Sequence, residues 1–190
     1  MKFWKFFLIL SALSFSACAT SSDKGMKSAS APKGKISLSF DDAPRKSSFF
    51  SGEQRSKKLV EALKKSNVER VAFYVNTSKM NKEGAKRIKF YAKNGHLIGN
   101  HTHTHPMLNN VDLYDYIRDI REAHRILEPL DGFERLFRFP YLREGNTVEK
   151  RDRVREDLDR LGYKNGYVTV NNYDWAMEEL FQKEKNKGKR

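Results

Sequence analysis

Asp41 and Asp42 stand side by side behind the alternating run Ile36, Leu38, Phe40, in the stretch ISLSFDDAP. Adjacent carboxylates repel, and a strand end offers them no counter-charge, so their placement asks for a cation. Further along, NHTHTHP puts three of the chain's five histidines at alternate positions, His101, His103 and His105. Read as a helical turn, His101 and His105 nearly superpose and His103 points the other way. Two imidazoles on one face with one carboxylate make the ligand set of a catalytic zinc site that keeps a position open for water. Asp42 is a plausible carboxylate. The metal then takes one aspartate and leaves Asp41 as the base beside the water it polarises. The plainer alternative is a polar turn before Pro106 whose histidines are caps or surface groups. Arg138, before Pro140, is placed either to orient Asp41 through a bidentate contact or to form an ordinary surface ion pair. The chemistry implied is metal-assisted hydrolysis.

The elements that must position these residues alternate. The run at 36–40 reads as a strand with one face buried, ending at the aspartates. A helical pattern follows around 54–66, with Leu59, Val60 and Leu63 on one face, and VAFYVN reads as an interior strand. A second helix spans about 82–94 and stops at Gly95, and HLIG is a short strand leading into the histidines. The longest helix covers about 111–130, with Leu113, Ile117, Ile120, Ala123 and Leu127 as its stripe. LFRFP is a strand, 148–161 a helix closed by Gly162, and NGYVTV a final strand. This order predicts an α/β fold, with helices around a mainly parallel sheet or barrel and active residues beyond the carboxyl ends of the strands. The last 15 residues begin amphipathic and run into a lysine-rich tail.

The N-terminus carries a different message. Lys2 and Lys5 flank an apolar run from Phe6 to Phe15 that ends in Ser16-Ala17-Cys18, which reads as a secretory signal over 1–18. Cys18 is the only cysteine, so no intrachain disulfide forms. Its setting resembles a lipoprotein cleavage site, with lipidation of Cys18 as the expected modification and cleavage at Ala17-Cys18-Ala19 as the alternative. Residues 19–34, rich in Ser, Ala, Gly and Lys, form a linker, and residues 35–190 are long enough for one domain. The expectation is an exported envelope lipoprotein anchored in a membrane by its N-terminal lipid, at the outer membrane or the periplasmic face where two membranes exist, with a secreted protein as the alternative. A formal charge of +13 suits anionic envelope polymers or headgroups, or a basic surface with no dedicated partner. No nucleic-acid module motif is present, so nucleic acid is not an expected partner.

The motifs together resemble the polysaccharide deacetylase family, the NodB-homology or carbohydrate esterase family 4 domain. SFDDAP looks like its T-F-D-D-G-P motif, HTHTH its H-[ST]-x-x-H, RFPY its R-x-P-[FY], and Asp174-Trp175 its Asp-Trp pair. The resemblance implies a distorted (β/α) barrel that removes N-acetyl groups from an N-acetylglucosamine-containing polysaccharide, peptidoglycan or an exopolysaccharide. It makes Asp41 the catalytic base, Asp42, His101 and His105 ligands of zinc or else cobalt or nickel, and Arg138 the group that positions Asp41. The backbone of Tyr141 would hold the oxyanion, Trp175 would line the acetyl pocket, and Asp174 would tune a late catalytic-acid histidine in a fifth motif, Leu-x-x-x-His. No histidine follows His124. The expected barrel is therefore truncated at its C-terminal side, with activity impaired or replaced by metal-dependent glycan binding.

Overall fold

The computed structural model describes residues 34–188. The signal at 1–18, Cys18 and all but the last residue of the linker lie outside the described residues. From Ile36 onward the chain forms one compact unit.

Five parallel strands, β1 (Ser39–Ala43), β2 (Ala72–Val75), β3 (Leu97–Asn100), β4 (Phe133–Phe137) and β5 (Lys164–Asn165), follow one another in chain order across one sheet. The connections carry α1 (Gly52–Lys65), α2 (Lys82–Lys93), α3 (Leu113–Leu127) and α4 (Val148–Arg160), and α5 (Asp174–Lys187) follows β5. Each crossover helix starts on a side-chain cap. Ser51 and Gln54 form a reciprocal capping box on α1, while Asn81, Asp112 and Thr147 accept first-turn N–H groups of α2, α3 and α4. Gly95 (φ 84°) and Gly162 (φ 73°) supply the left-handed residue that ends α2 and α4.

The apolar stripes meet the sheet in two clusters. Val60, Leu63 and Ile88 pack with Phe73, Val75 and Ile98, and Ile117, Ile120, Val154 and Leu158 pack with Phe137. Among the described residues β1 pairs only with β2 and β5 only with β4, so the α/β barrel is incomplete, as expected.

Two expected elements differ. The first strand starts at Ser39, not Ile36: Ile36 is 88% exposed, and its alternation faces solvent. Of NGYVTV only Asn165 is strand. The last ladder bond runs from Gly166 N–H to the Phe137 carbonyl, after which β4 turns away toward Pro140 and, among the described residues, leaves 167–170 without a strand to pair with. β propensity without a partner strand makes no sheet. The tail instead forms α5, none of whose residues is buried. It leans on the loop before α1 through Phe181 against Phe49, and on α1 itself through Arg55 to Glu178 at 3.4 Å.

One core residue sets a pH limit on this packing. His96 is buried against Phe73, and neither ring nitrogen has a hydrogen-bond partner. Burial, with Lys64 adding to it, holds its pKa below the ordinary 6.5. The unfolded chain therefore takes up the proton first as pH falls. The folded form is at full strength above about 6.5 and loses stability as pH drops from there toward the lowered value. Urea midpoints at pH 8 and pH 5 check this: His96→Leu is expected to shrink the acid-side loss relative to wild type. An equal loss in both chains would contradict it.

Candidate metal centre and active site

In a regular strand Asp41 and Asp42 would face opposite sides. Here Phe40 pairs with Phe73 and Ala43 with Val75, so both aspartates stand opposite the single residue Tyr74. This is a β-bulge, and Asp42 takes a left-handed backbone (φ 60°) within it. The bulge re-aims one carboxylate without moving the other.

The histidines arrive by a loop, not the expected helical turn. Thr102 (φ 67°) and His105 (φ 64°) both adopt left-handed conformations, which cost non-glycine residues about 1–2 kcal/mol each. Side chains hold the loop in that shape. Asn100, fully buried at the end of β3, accepts the Thr102 N–H at 2.8 Å and donates to the Ile120 carbonyl and Tyr163 hydroxyl. Thr102 Oγ1 accepts the His105 N–H at 3.1 Å, and Asp119 on α3 accepts the N–H groups of His103 and Thr104. His103 turns away to Thr77, its Nδ1 lying 2.8 Å from the hydroxyl.

His101 and His105 turn inward. His101 Nδ1 lies 2.8 Å from the Arg138 carbonyl, which can only accept, so the proton sits on Nδ1 and Nε2 presents a lone pair. That Nε2 lies 3.2 Å from His105 Nε2, which is 3.1 Å from Asp42 Oδ1. The last contact has the separation of an ion pair but not the alignment of a hydrogen bond, and Asp42 Oδ1 is buried without a hydrogen-bond partner. Burial holds both imidazoles below their ordinary pKa, which favours the neutral, ligating form. Three facing acceptors, all within 4.8 Å of one another, have at most one proton to share. A divalent cation serves all three, so the donor set fits one.

Arg138, 5% exposed at the end of β4, spans the concave side of the sheet. Its Nη1 donates to Asp41 Oδ1 and to Ser39 Oγ, each at 2.7 Å, and its Nε donates to the Gly166 carbonyl at 2.9 Å. The contact with Asp41 is thus through one nitrogen shared with Ser39, not the bidentate fork expected. β1 and β4 are separated by β2 and β3, a distance of about 14 Å in a flat sheet, so this bond requires the sheet to curl. The guanidinium lies 4.0 Å from the centre of the Tyr74 ring. Gly166 is required beneath that ring, since a Cβ there would come within 1.9 Å of the Tyr74 hydroxyl.

Tyr141 (φ 58°) sits beside the centre, its ring 4.7 Å from that of His105. Asp174 and Trp175 are not brought to it. Asp174 makes no hydrogen bond or ion pair with Asp41, Arg138 or either histidine, and Trp175 is more than half exposed with Tyr173 as its aromatic neighbour. They open α5, which leans toward α1. Asp119, Thr77 and Tyr74 also support the centre and carry no sequence signal of that role, whereas Asn100 closes an apolar strand next to the histidines and Ser39 opens the SFDDAP motif.

A family model described as polysaccharide deacetylase matches residues 28–166. A peptidoglycan-N-acetylglucosamine deacetylase of Bacillus cereus is 32% identical over 114 residues, 57% of this chain and 37% of that protein. A chitin deacetylase of Colletotrichum lindemuthianum is 33% identical over 114 residues, 57% of this chain and 42% of that protein. The chain thus spans less than half the length of either curated relative. The solved structure of a family 4 carbohydrate esterase from Streptomyces lividans shares the fold, with a TM-score of 0.60 at 22% identity over 76% of this chain and 67% of that one.

Proposed function

The chain belongs to the polysaccharide deacetylase family, and on that premise we propose that it hydrolyses N-acetyl groups of an N-acetylglucosamine-containing polysaccharide, peptidoglycan or an exopolysaccharide. The observation that carries this reading is the convergence of Asp42, His101 and His105 beside an aspartate held by a buried arginine. Asp42, His101 and His105 would hold the divalent ion. Two imidazoles and a carboxylate suit zinc, with cobalt and nickel as substitutes. When bound, the ion supplies a Lewis acid for the acetyl carbonyl and acidifies water.

The chain's own groups do the rest. Asp41, adjacent to Asp42 yet paired with Arg138 instead, accepts the proton of the attacking water. Arg138 keeps that carboxylate aimed and counter-charged. Tyr141 borders the open side of the centre, where its main chain would meet the developing oxyanion. The C–N bond breaks to give acetate and an amine. Among the described residues no further histidine reaches the centre, so the amine draws its proton from Asp41 or solvent and turnover is slow. The same observation favours a second reading, a metal-dependent glycan-binding module without turnover. The signal-like N-terminus supports an envelope polymer as the target.

Incubating the zinc-loaded chain with N-acetylglucosamine oligomers and measuring acetate and free amine separates the two. Slow, metal-dependent release of both in equal amounts is expected. Binding without acetate above a metal-free control would leave only the module.

A further inference from the structure

Asp42 has two cations beside it besides the histidine. Lys79 Nζ lies 3.8 Å from Oδ1 and Arg45 Nη1 lies 3.7 Å from Oδ2. Both distances are ion-pair separations beyond hydrogen-bond range. The two side chains are 36% and 40% exposed, and among the described residues neither has another acidic partner. Their backbones are nonetheless fixed. Arg45 follows the Pro44 turn, and its carbonyl accepts from the buried Arg87 at 2.8 Å. Lys79 ends the short turn Thr77–Lys79, which is pinned to the histidine loop through Thr77 N–H to the Thr102 carbonyl and Ser78 N–H to the His103 carbonyl. Two held but loosely paired cations therefore frame the mouth of the centre, one on each oxygen of the same carboxylate.

Under the deacetylase reading, on which this inference rests, Asp42 is committed to a divalent ion. Asp41 is already committed to Arg138. Arg45 and Lys79 then have no protein counter-charge, next to an added positive ion, in a chain of formal charge +13. An anion brought by the substrate is the natural complement, and a carboxylate matches both the guanidinium fork and the ammonium. We infer that Arg45 and Lys79 form a carboxylate-recognition site at the mouth of the centre, so that the glycan this chain acts on is an acidic one, with a carboxylate close to the acetamide that is cleaved. This site selects the polymer; it takes no part in breaking the bond.

The test uses glycan strands of alternating N-acetylglucosamine and N-acetylmuramic acid, stripped of peptide, and the same strands with every carboxyl capped as an amide. Calorimetry on the zinc-loaded full chain carrying Asp41→Asn reads binding without turnover. The acidic strands are expected to bind about 10-fold more tightly than the capped ones, with a preference that fades as salt screens it. Arg45→Gln with Lys79→Gln is expected to erase the preference while zinc content and thermal midpoint stay at the parent's level. Equal affinity for the two polymers, or a preference that survives the double substitution, would overturn the inference. Acetate assays on the chain without Asp41→Asn keep the two readings apart. Equal release from acidic and capped strands upholds the deacetylase and removes the carboxylate site, whereas a binding preference without acetate from either does the reverse.

Discussion

Replacing His101 or His105 by alanine is expected to weaken zinc binding by on the order of 10²-fold or more and to abolish metal-dependent acetate release. Structural zinc sites supply about 10–16 kcal/mol over four ligands, so one ligand accounts for about 3 kcal/mol. His101 is the more sensitive of the two. Its Nδ1–H is spent on the Arg138 carbonyl, so its Nε2 is already oriented, and alanine there also leaves a buried carbonyl without its donor. Asp42 is best tested as Asp42→Asn, because asparagine tolerates the left-handed backbone at that position (φ 60°) and removes only the charge. His103→Ala is the control. It breaks the contact with Thr77 but leaves the three facing atoms in place, so metal content measured by elemental analysis should stay at the wild-type level. Unchanged metal in both His101→Ala and His105→Ala would remove the site.

The second large effect falls on Asp41. Asp41→Asn is expected to slow acetate release by about 10²- to 10⁴-fold with zinc retained, because the amide cannot take a proton from water. Arg138 separates aiming from chemistry. Lysine keeps the charge but lacks the fork that reaches Asp41, Ser39 and the Gly166 carbonyl together. Arg138→Lys should therefore lose rate at nearly constant substrate affinity and keep most of its stability. Arg138→Met should also lose roughly 2 kcal/mol of stability, since Asp41 is left without its partner and the Tyr74 ring without its cation; the value sits below that of a fully buried pair because the Asp41 side chain is 35% exposed. Chemical denaturation beside steady-state kinetics reads both effects. A rate in Asp41→Asn equal to wild type would give the base role to another group.

Much of this geometry was legible in the sequence for a simple reason. The chemistry-bearing residues close the strands, and the helices between them carry clean 3.6-residue stripes. Ile117, Ile120, Ala123 and Leu127 are all buried as their spacing implies. What brings the groups together was not legible. Asp41-Asp42 reads as the end of a flat strand, and only the register against Tyr74 reveals the bulge. The spacing of His101 and His105 suits a helical turn equally well, yet they meet through two left-handed residues that Asn100 and Asp119 stabilise from outside the motif. Asp119 sits on the polar side of an amphipathic helix, where an aspartate ordinarily means solvent. The segment after Asn165 misled for the opposite reason: its tyrosine, valines and threonine favour a strand, but the neighbour that would pair with them has turned away.

The most direct measurement titrates zinc into the metal-stripped full chain while following acetate from N-acetylglucosamine oligomers. Release is expected to rise linearly, to break at about one ion per chain, as a single three-ligand site requires, and to stay at the metal-free level throughout for Asp42→Asn. Acetate release at full rate in the stripped chain, or an undiminished rise in Asp42→Asn, would contradict the account.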